Sequence, residues 1–170
     1  SLFELTRAYS VFANRGFMVD PVFVLKIVDR DGKVLEEAVS ERRKAIEKDT
    51  AFIMTNMMES VVQHGTGQRI KALGRPTAGK TGTTNDMYDA WYIGYTPEYI
   101  TGVWIGFDTE APLGKTETGA VAASPIWLEF MKQVLAKEPV KAFQAPEGII
   151  FAKIDAETGL LPVAESRKTI

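Results

Sequence analysis

The groups in this sequence best suited to chemistry are concentrated in Gly74-Arg-Pro-Thr-Ala-Gly-Lys80-Thr81-Gly82-Thr83-Thr84. A lysine beside hydroxyls can hold an anion, and glycines let the ligand approach the backbone. Gly74, Gly79, Lys80 and Thr81 satisfy the G-x-x-x-x-G-K-[ST] pattern of a nucleotide-binding loop in full, and Val103-Trp-Ile-Gly-Phe-Asp108 imitates the apolar strand that ends in a metal-binding Asp. The context argues against that use. Such a loop needs a buried strand before its first glycine and a helix opening at Lys-Thr, because the helix N-terminus holds the phosphates. Here Gln68-Arg-Ile-Lys-Ala-Leu73 precedes the pattern, which is no buried strand, and Gly82-Thr-Thr-Asn-Asp86 comes after it, which starts a helix poorly.

The elements around the motif point to a different frame. Ser1-Leu2-Phe3-Glu4 fits a capping box, and Leu2, Leu5, Ala8, Tyr9 and Phe12 give a first helix its apolar face, which Gly16 ends. Residues 24–28 read as a strand, Asp31-Gly32 as a turn and Val34-Leu35 as the start of the return strand. Residues 36–48 are charged and expected to be exposed, with Glu41-Arg-Arg-Lys44 a solvated segment. Asp49 or Thr50 is placed to cap a second helix with Phe52, Ile53, Met57 and Val61 on its apolar face, ended by Gly65; Met54, Met57 and Met58 are read as core filling. Gly65-Thr66-Gly67 opens a loop. Three strand-like runs come next, 77–83, 90–95 and 100–107. The link Thr96-Pro97-Glu98-Tyr99 is too short for a parallel crossover, so the second and third runs must be antiparallel neighbours, and the first is expected to pair antiparallel with the second. A long helix is expected over 120–136 with Pro125 near its start, then a last short strand over 151–154 and a turn at Glu157-Thr158-Gly159. Helices and strands are segregated, which predicts an α+β fold, an antiparallel sheet flanked by helices.

Composition removes several function classes. The chain has 170 residues, 45% hydrophobic and 25% charged, ordinary for a globular domain. A net charge of −2 argues against nucleic acid. With no cysteine and no metal-ligand spacing, no thiolate chemistry and no metal or other cofactor is expected. His64 is the one histidine; it stands at a helix end, where a cation suits the dipole, so the chain offers no histidine-paired catalytic triad. Trp91, Trp104 and Trp127 read as core anchors, and Asp86 and Asp89 as turn or loop residues.

The motif and its flanks together closely resemble class A penicillin-binding proteins. The resemblance is carried by Arg75-Pro-x-Ala-Gly-Lys-Thr-Gly-Thr-Thr-Asn-Asp86, Asp89-Ala-Trp-Tyr-Ile-Gly-Tyr-Thr-Pro97 and Thr101-Gly-Val-Trp-Ile-Gly-Phe-Asp108. It extends to Ala8-Tyr-Ser-Val-Phe-Ala-Asn14 upstream and to Thr118-Gly119 leading into Ala123-Ser-Pro-Ile-Trp127. Arg15 and Ala120 depart from the pattern, standing where Gly or a small polar residue is expected. The tail, with Ile154-Asp155 and Thr158-Gly-Leu-Leu-Pro162, is similar to the segment after this domain in the 1A-type members. The resemblance implies the C-terminal part of a transpeptidase domain over 1–140, in the fold shared by penicillin-binding transpeptidases and β-lactamases, with a C-terminal extension over 141–170.

The same resemblance implies a role for each motif residue. The Lys-Thr-Gly strand would border the site. Lys80 would hold a network of hydroxyls and favour the substrate carboxylate, and Thr81 and Thr83 would offer hydroxyls to it. Gly82 would let the acyl group approach, and the Thr83 backbone N–H would be one oxyanion-hole donor. The nucleophile itself is missing. None of serines 1, 10, 40, 60, 124 and 166 heads an S-x-x-K or S-x-N element, both of which lie N-terminal to Lys-Thr-Gly in this family. The chain is therefore expected to be an inactive fragment of a D,D-transpeptidase, with the nucleophilic serine on a preceding segment of the same protein. The implied partners are peptidoglycan stem peptides, β-lactam antibiotics and lipoprotein activators. The implied location is the extracytoplasmic side of the inner membrane, with the anchor and a glycosyltransferase domain outside this chain. The alternatives are a serine β-lactamase and a catalytically dead peptidoglycan-binding module of the same fold.

Overall fold

A computed structural model describes residues 1–155 and 158–161. Helix α1 spans Leu2–Ala13, and its capping box is formed as expected: Glu4 N–H donates to Ser1 Oγ at 3.3 Å, and the Glu4 carboxylate accepts from the Ser1 amine at 2.9 Å. Two positive-φ residues, Arg15 at +54° and Gly16 at +92°, turn the chain after the helix. Arg15, the departure noted in the sequence, occupies a left-handed conformation that glycine would adopt with less strain.

The next strands form two small antiparallel pairs. β1 (Phe17–Val19) pairs with β4 (Arg42–Lys44), and β2 (Lys26–Val28) with β3 (Val34–Glu37). The second pair is the expected hairpin, its turn held by Asp29 Oδ1 accepting from the N–H of Asp31 and Lys33. The first pair has no sequence signal, because Arg42-Arg-Lys44 is exposed as expected yet still joins a backbone ladder. Arg42 sits 4.9 Å over the Phe17 ring.

Helix α2 spans Lys48–His64 and ends at Gly65. Its N-cap is Glu47 rather than Asp49 or Thr50, with no side-chain cap bond. Asp49 falls in the first turn instead, where a carboxylate still suits the positive end of the dipole. Met58 is buried and Met57 is 58% exposed, so the methionine cluster is only partly core. A short 3₁₀ segment, Gln68–Leu73, leads to Gly74 at φ +73° and then to the principal sheet.

That sheet is β5 (Ala78–Thr83), β6 (Ala90–Tyr95) and β7 (Ile100–Ile105), in the order β5-β6-β7 and antiparallel throughout, as the short links required. The register sets Lys80 opposite Ile93, Thr81 opposite Tyr92 and Gly82 opposite Trp91. After β7 a π-type turn, Gly119–Ala123, runs into helix α3, Ser124–Val134, with Pro125 in its first turn.

Two neighbouring positions of β6, Ile93 and Gly94, show how the sheet is covered. Gly102 of β7, opposite Ile93, lies against Thr6 and Leu2 of α1. A Cβ on Gly94 would come 3.0 Å from the Trp127 ring of α3. Adjacent strand residues face opposite ways, so α1 and α3 cover opposite faces. Trp127 is fully buried, edge-on to Tyr92 at 5.3 Å, and its indole N–H donates to Thr101 O at 2.9 Å. Helix α2 adds Val62 to the α3-side core and Met58 to the other, and so straddles β5.

The chain beyond α3 returns over α2. Phe143 packs edge-on against Tyr95 at 5.6 Å and Phe151 against Phe52 at 6.2 Å. The strand expected over 151–154 does not form, because this stretch lies on helix α2, where Ala152 and Ile154 share a cavity with Glu59 and His64, and a helix offers no ladder to join. Of the expected turn, Glu157 is outside the described residues; Thr158 bonds Asp155 Oδ1 through N–H and hydroxyl, and Gly159 has φ +71°. No described helix is long and apolar enough to cross a membrane.

Candidate active site

The four residues singled out from the sequence lie together on β5. Lys80 is in mid-strand, so no helix opens there and the nucleotide-loop geometry is absent. Gly79, which completed that pattern, has another use: the Tyr92 ring lies across it, and a Cβ would come 2.8 Å from the ring carbon bearing the hydroxyl. Burial raises the Tyr92 phenol well above its ordinary value.

A cavity of about 280 Å³ opens beside the motif, lined by Lys80, Thr81, Gly82 and Thr83 with Tyr9 of α1 and Trp91 of β6 among its walls. Gly82 is opposite Trp91, and a Cβ there would come 3.1 Å from the Trp91 Cβ, so glycine keeps this part of the strand open. The Lys80 ammonium is exposed and donates to Thr81 O at 2.8 Å.

β5 is an edge strand, with no neighbour beyond it among the described residues. The ladder determines which backbone groups that edge displays. Thr84 N–H donates inward to Asp89 O at 3.2 Å, and in an antiparallel pair successive residues alternate between bonding inward and pointing outward. The N–H and C=O of Thr83 and Thr81 therefore face away from β6, along the open edge. The Thr81 carbonyl that receives Lys80 is one of these outward groups.

Two further residues contact the hydroxyls of the motif, and sequence reasoning assigned neither a role. Gly119 N–H donates to Thr83 Oγ1 at 3.1 Å. Its α-carbon rests on the β5–β6 ladder, and a Cβ would fall 2.5 Å from Gly82 O. In the sequence, Thr118-Gly119 stands out only as part of a resemblance. Thr66 Oγ1 lies 2.7 Å from Thr81 Oγ1, and its place between two glycines signals a loop and nothing more.

The other candidates fall elsewhere. Trp91 and Trp104 are not core anchors. They pair across β6 and β7 at 6.1 Å, with Trp91 half-buried in the cavity wall and Trp104 39% exposed. Only Trp127 has the expected place, since the first two project from the face of the sheet that carries Lys80 and Gly82. Asp89 is a loop residue that holds structure together, its carboxylate accepting the Trp104 indole N–H at 2.7 Å. Asp86 sits in the turn at φ +62°. His64 meets Ser60 Oγ at 3.5 Å, on the tail side of α2. Ser10 and Ser124 bond back to carbonyls one turn earlier, Ser166 lies outside the described residues, and none of the other serines lines the cavity. Among the described residues no group of three His, Cys, Asp or Glu gathers as a metal site.

Residues 1–132 match the family model for the penicillin-binding protein transpeptidase domain. Penicillin-binding protein 1A of Aquifex aeolicus is 43% identical over 152 residues, covering 89% of this chain and 21% of the relative. Penicillin-binding protein 1A of Pseudomonas aeruginosa is 34% identical, covering 92% of this chain and 25% of the relative. The chain thus spans between a fifth and a quarter of these relatives' length. The crystal structure of penicillin-binding protein 1A from Haemophilus influenzae superposes with a TM-score of 0.92 at 29% identity, covering 99% of this chain and 31% of that one. The penicillin-binding protein PonA1 from Mycobacterium tuberculosis superposes at 0.73, also at 29% identity, over 88% of this chain and 45% of that one.

Proposed function

The chain belongs to the penicillin-binding protein transpeptidase family, and from that premise we propose that it is the Lys-Thr-Gly half of a peptidoglycan D,D-transpeptidase site. The observation that carries this is the open β5 edge, where outward backbone groups of Thr81 and Thr83 lie beside the Lys80 ammonium and a cavity. An extended stem peptide ending in D-alanine can lie along such an edge as an added strand. Its carboxylate meets Lys80 and the hydroxyls of Thr81 and Thr83. The scissile carbonyl approaches over Gly82, and Thr83 N–H stabilises the oxyanion as it forms. A serine from the preceding segment of the same protein attacks that carbonyl. D-alanine leaves, and a neighbouring stem-peptide amine, or water in a carboxypeptidase side reaction, takes the acyl group. β-Lactams acylate the same serine.

The sheet offers that preceding segment a seat. β7 is the other edge, and beside it runs an apolar cavity of about 720 Å³ lined by Leu2, Phe3, Tyr99, Gly102, Phe130 and Val134. In this proposal the preceding segment packs into that groove beside Leu2 and Phe3. In this proposal the transpeptidase part of the chain ends near residue 140 and the remainder is an extension. The intact protein carries a glycosyltransferase domain and a membrane anchor, works on the extracytoplasmic side of the inner membrane, and meets lipoprotein activators there.

Labelling with a fluorescent penicillin, with peptide mapping of the product, tests the assignment. Chain 1–170 alone should form no adduct, and the intact protein should be acylated on a serine outside it. An acyl group mapped to any serine within 1–170 overturns the proposal.

A further inference from the structure

The Thr66–Thr81 contact assigns Thr66 a part in the same site. The Gly65-Thr66-Gly67 loop is pinned to the last turn of α2, since Gly65 N–H and Gly67 N–H both donate to Val61 O, at 3.0 and 3.1 Å. A Cβ on Gly65 would come 3.0 Å from the Val61 backbone, so the loop wraps as closely as glycine allows. The residue between the glycines is thereby held against β5, with its hydroxyl 2.7 Å from that of Thr81. Thr66 is not among the residues lining the cavity that Lys80, Thr81, Gly82 and Thr83 share, and its hydroxyl meets the site at Thr81.

The direction of this bond is limited by the protons available. A hydroxyl has one proton to give. If Thr81 gives its proton to a bound carboxylate, the proton in the 2.7 Å contact must come from Thr66. We propose that Thr66 is a positioning residue, donating to Thr81 Oγ1 and so aiming the Thr81 proton into the cavity at the ligand's carboxylate. This rests on the function proposed above, because it takes a carboxylate-bearing ligand as given.

The test is stopped-flow acylation of the intact protein by a penicillin, resolving initial binding from the acylation step. Thr66→Val should weaken initial binding by about threefold to tenfold, the scale of one ordinary hydrogen bond, with little change in the acylation step. Thr66→Ser keeps the donor and should restore binding. The methyl ester of the same penicillin lacks the anion and keeps only a neutral acceptor, so Thr66→Val should weaken its binding less than that of the free acid. The inference fails if Thr66→Val binds the free acid like wild type, if Thr66→Ser is as impaired as Thr66→Val, or if the ester loses as much as the acid. A wild-type protein that penicillin does not acylate at all would instead remove the proposed function, and Thr66's role with it.

Discussion

The Tyr95 hydroxyl donates into the Thr55 hydroxyl at 2.8 Å, joining β6 to helix α2 in a buried contact. The direction is set because Thr55 gives its own proton to Ala51 O at 2.9 Å. Burial, foremost, raises the Tyr95 phenol above its ordinary value, so it stays a donor at any working pH. The two substitutions that break the relay should therefore differ. Tyr95→Phe leaves Thr55 still bonded to Ala51 and should cost about 1 kcal/mol, whereas Thr55→Val strands a buried phenol and should cost about 1–3 kcal/mol. Chemical denaturation of the intact protein would measure both, and the double variant should lose less than the sum. Equal single losses that add fully would show that the hydroxyls do not interact.

Lys80 carries the heaviest electrostatic duty in the proposed site. Lys80→Ala should slow acylation by β-lactam on the order of 10²–10³-fold, the scale of a lost oxyanion-hole donor. Stability should hardly change, because the ammonium is exposed. Lys80→Arg should also be poor, since a planar guanidinium cannot replace a compact ammonium. Thr83→Ala should lose less than Lys80→Ala, because its outward N–H survives. Second-order acylation rates with thermal melts as a folding control decide the ranking; a near-wild-type rate for a folded Lys80→Ala would make Lys80 a surface lysine.

Gly119 leaves no room for a side chain between the π-type turn and the ladder beneath it. Gly119→Ala must push the turn off Gly82 O and Trp91 O, at about 1–3 kcal/mol for overpacking. The same shift withdraws the N–H that holds Thr83 Oγ1. Both a lower melting temperature and slower acylation are expected, and a variant that melts lower yet acylates at the wild-type rate would separate Gly119 from the site.

Glu59 should tie stability to pH. Burial raises its carboxyl above the ordinary value, so the folded state prefers the protonated form. The unfolded chain then releases that proton first as pH rises, and stability present below about pH 4 is lost through the folded-state value. Glu59→Gln removes the ionisation. It should melt higher than wild type at neutral pH and converge with it in acid, and melts across that range that stay parallel would show that Glu59 ionises freely.

The features legible in the sequence are those that depend on neighbours in the chain. The α1 capping box is a four-residue pattern, the β6–β7 turn is fixed by a link too short to cross over, and the Lys80-Thr81-Gly82-Thr83 strand is consistent with both. The nucleotide-loop pattern fails for the same local reason, and Lys80 does lie in mid-strand. Tertiary structure decided the rest. β4 is a run of charges that becomes a strand only because β1 lies beside it, and 151–154 is a strand-like run that fails because α2, not a strand, lies beside it. The supports of the site are of this second kind. Thr66 and Gly119 stand 15 and 36 residues from the threonines they touch. Nothing in their local sequence marks them as partners of those threonines, because a hydrogen bond between distant segments exists only once packing has brought them together.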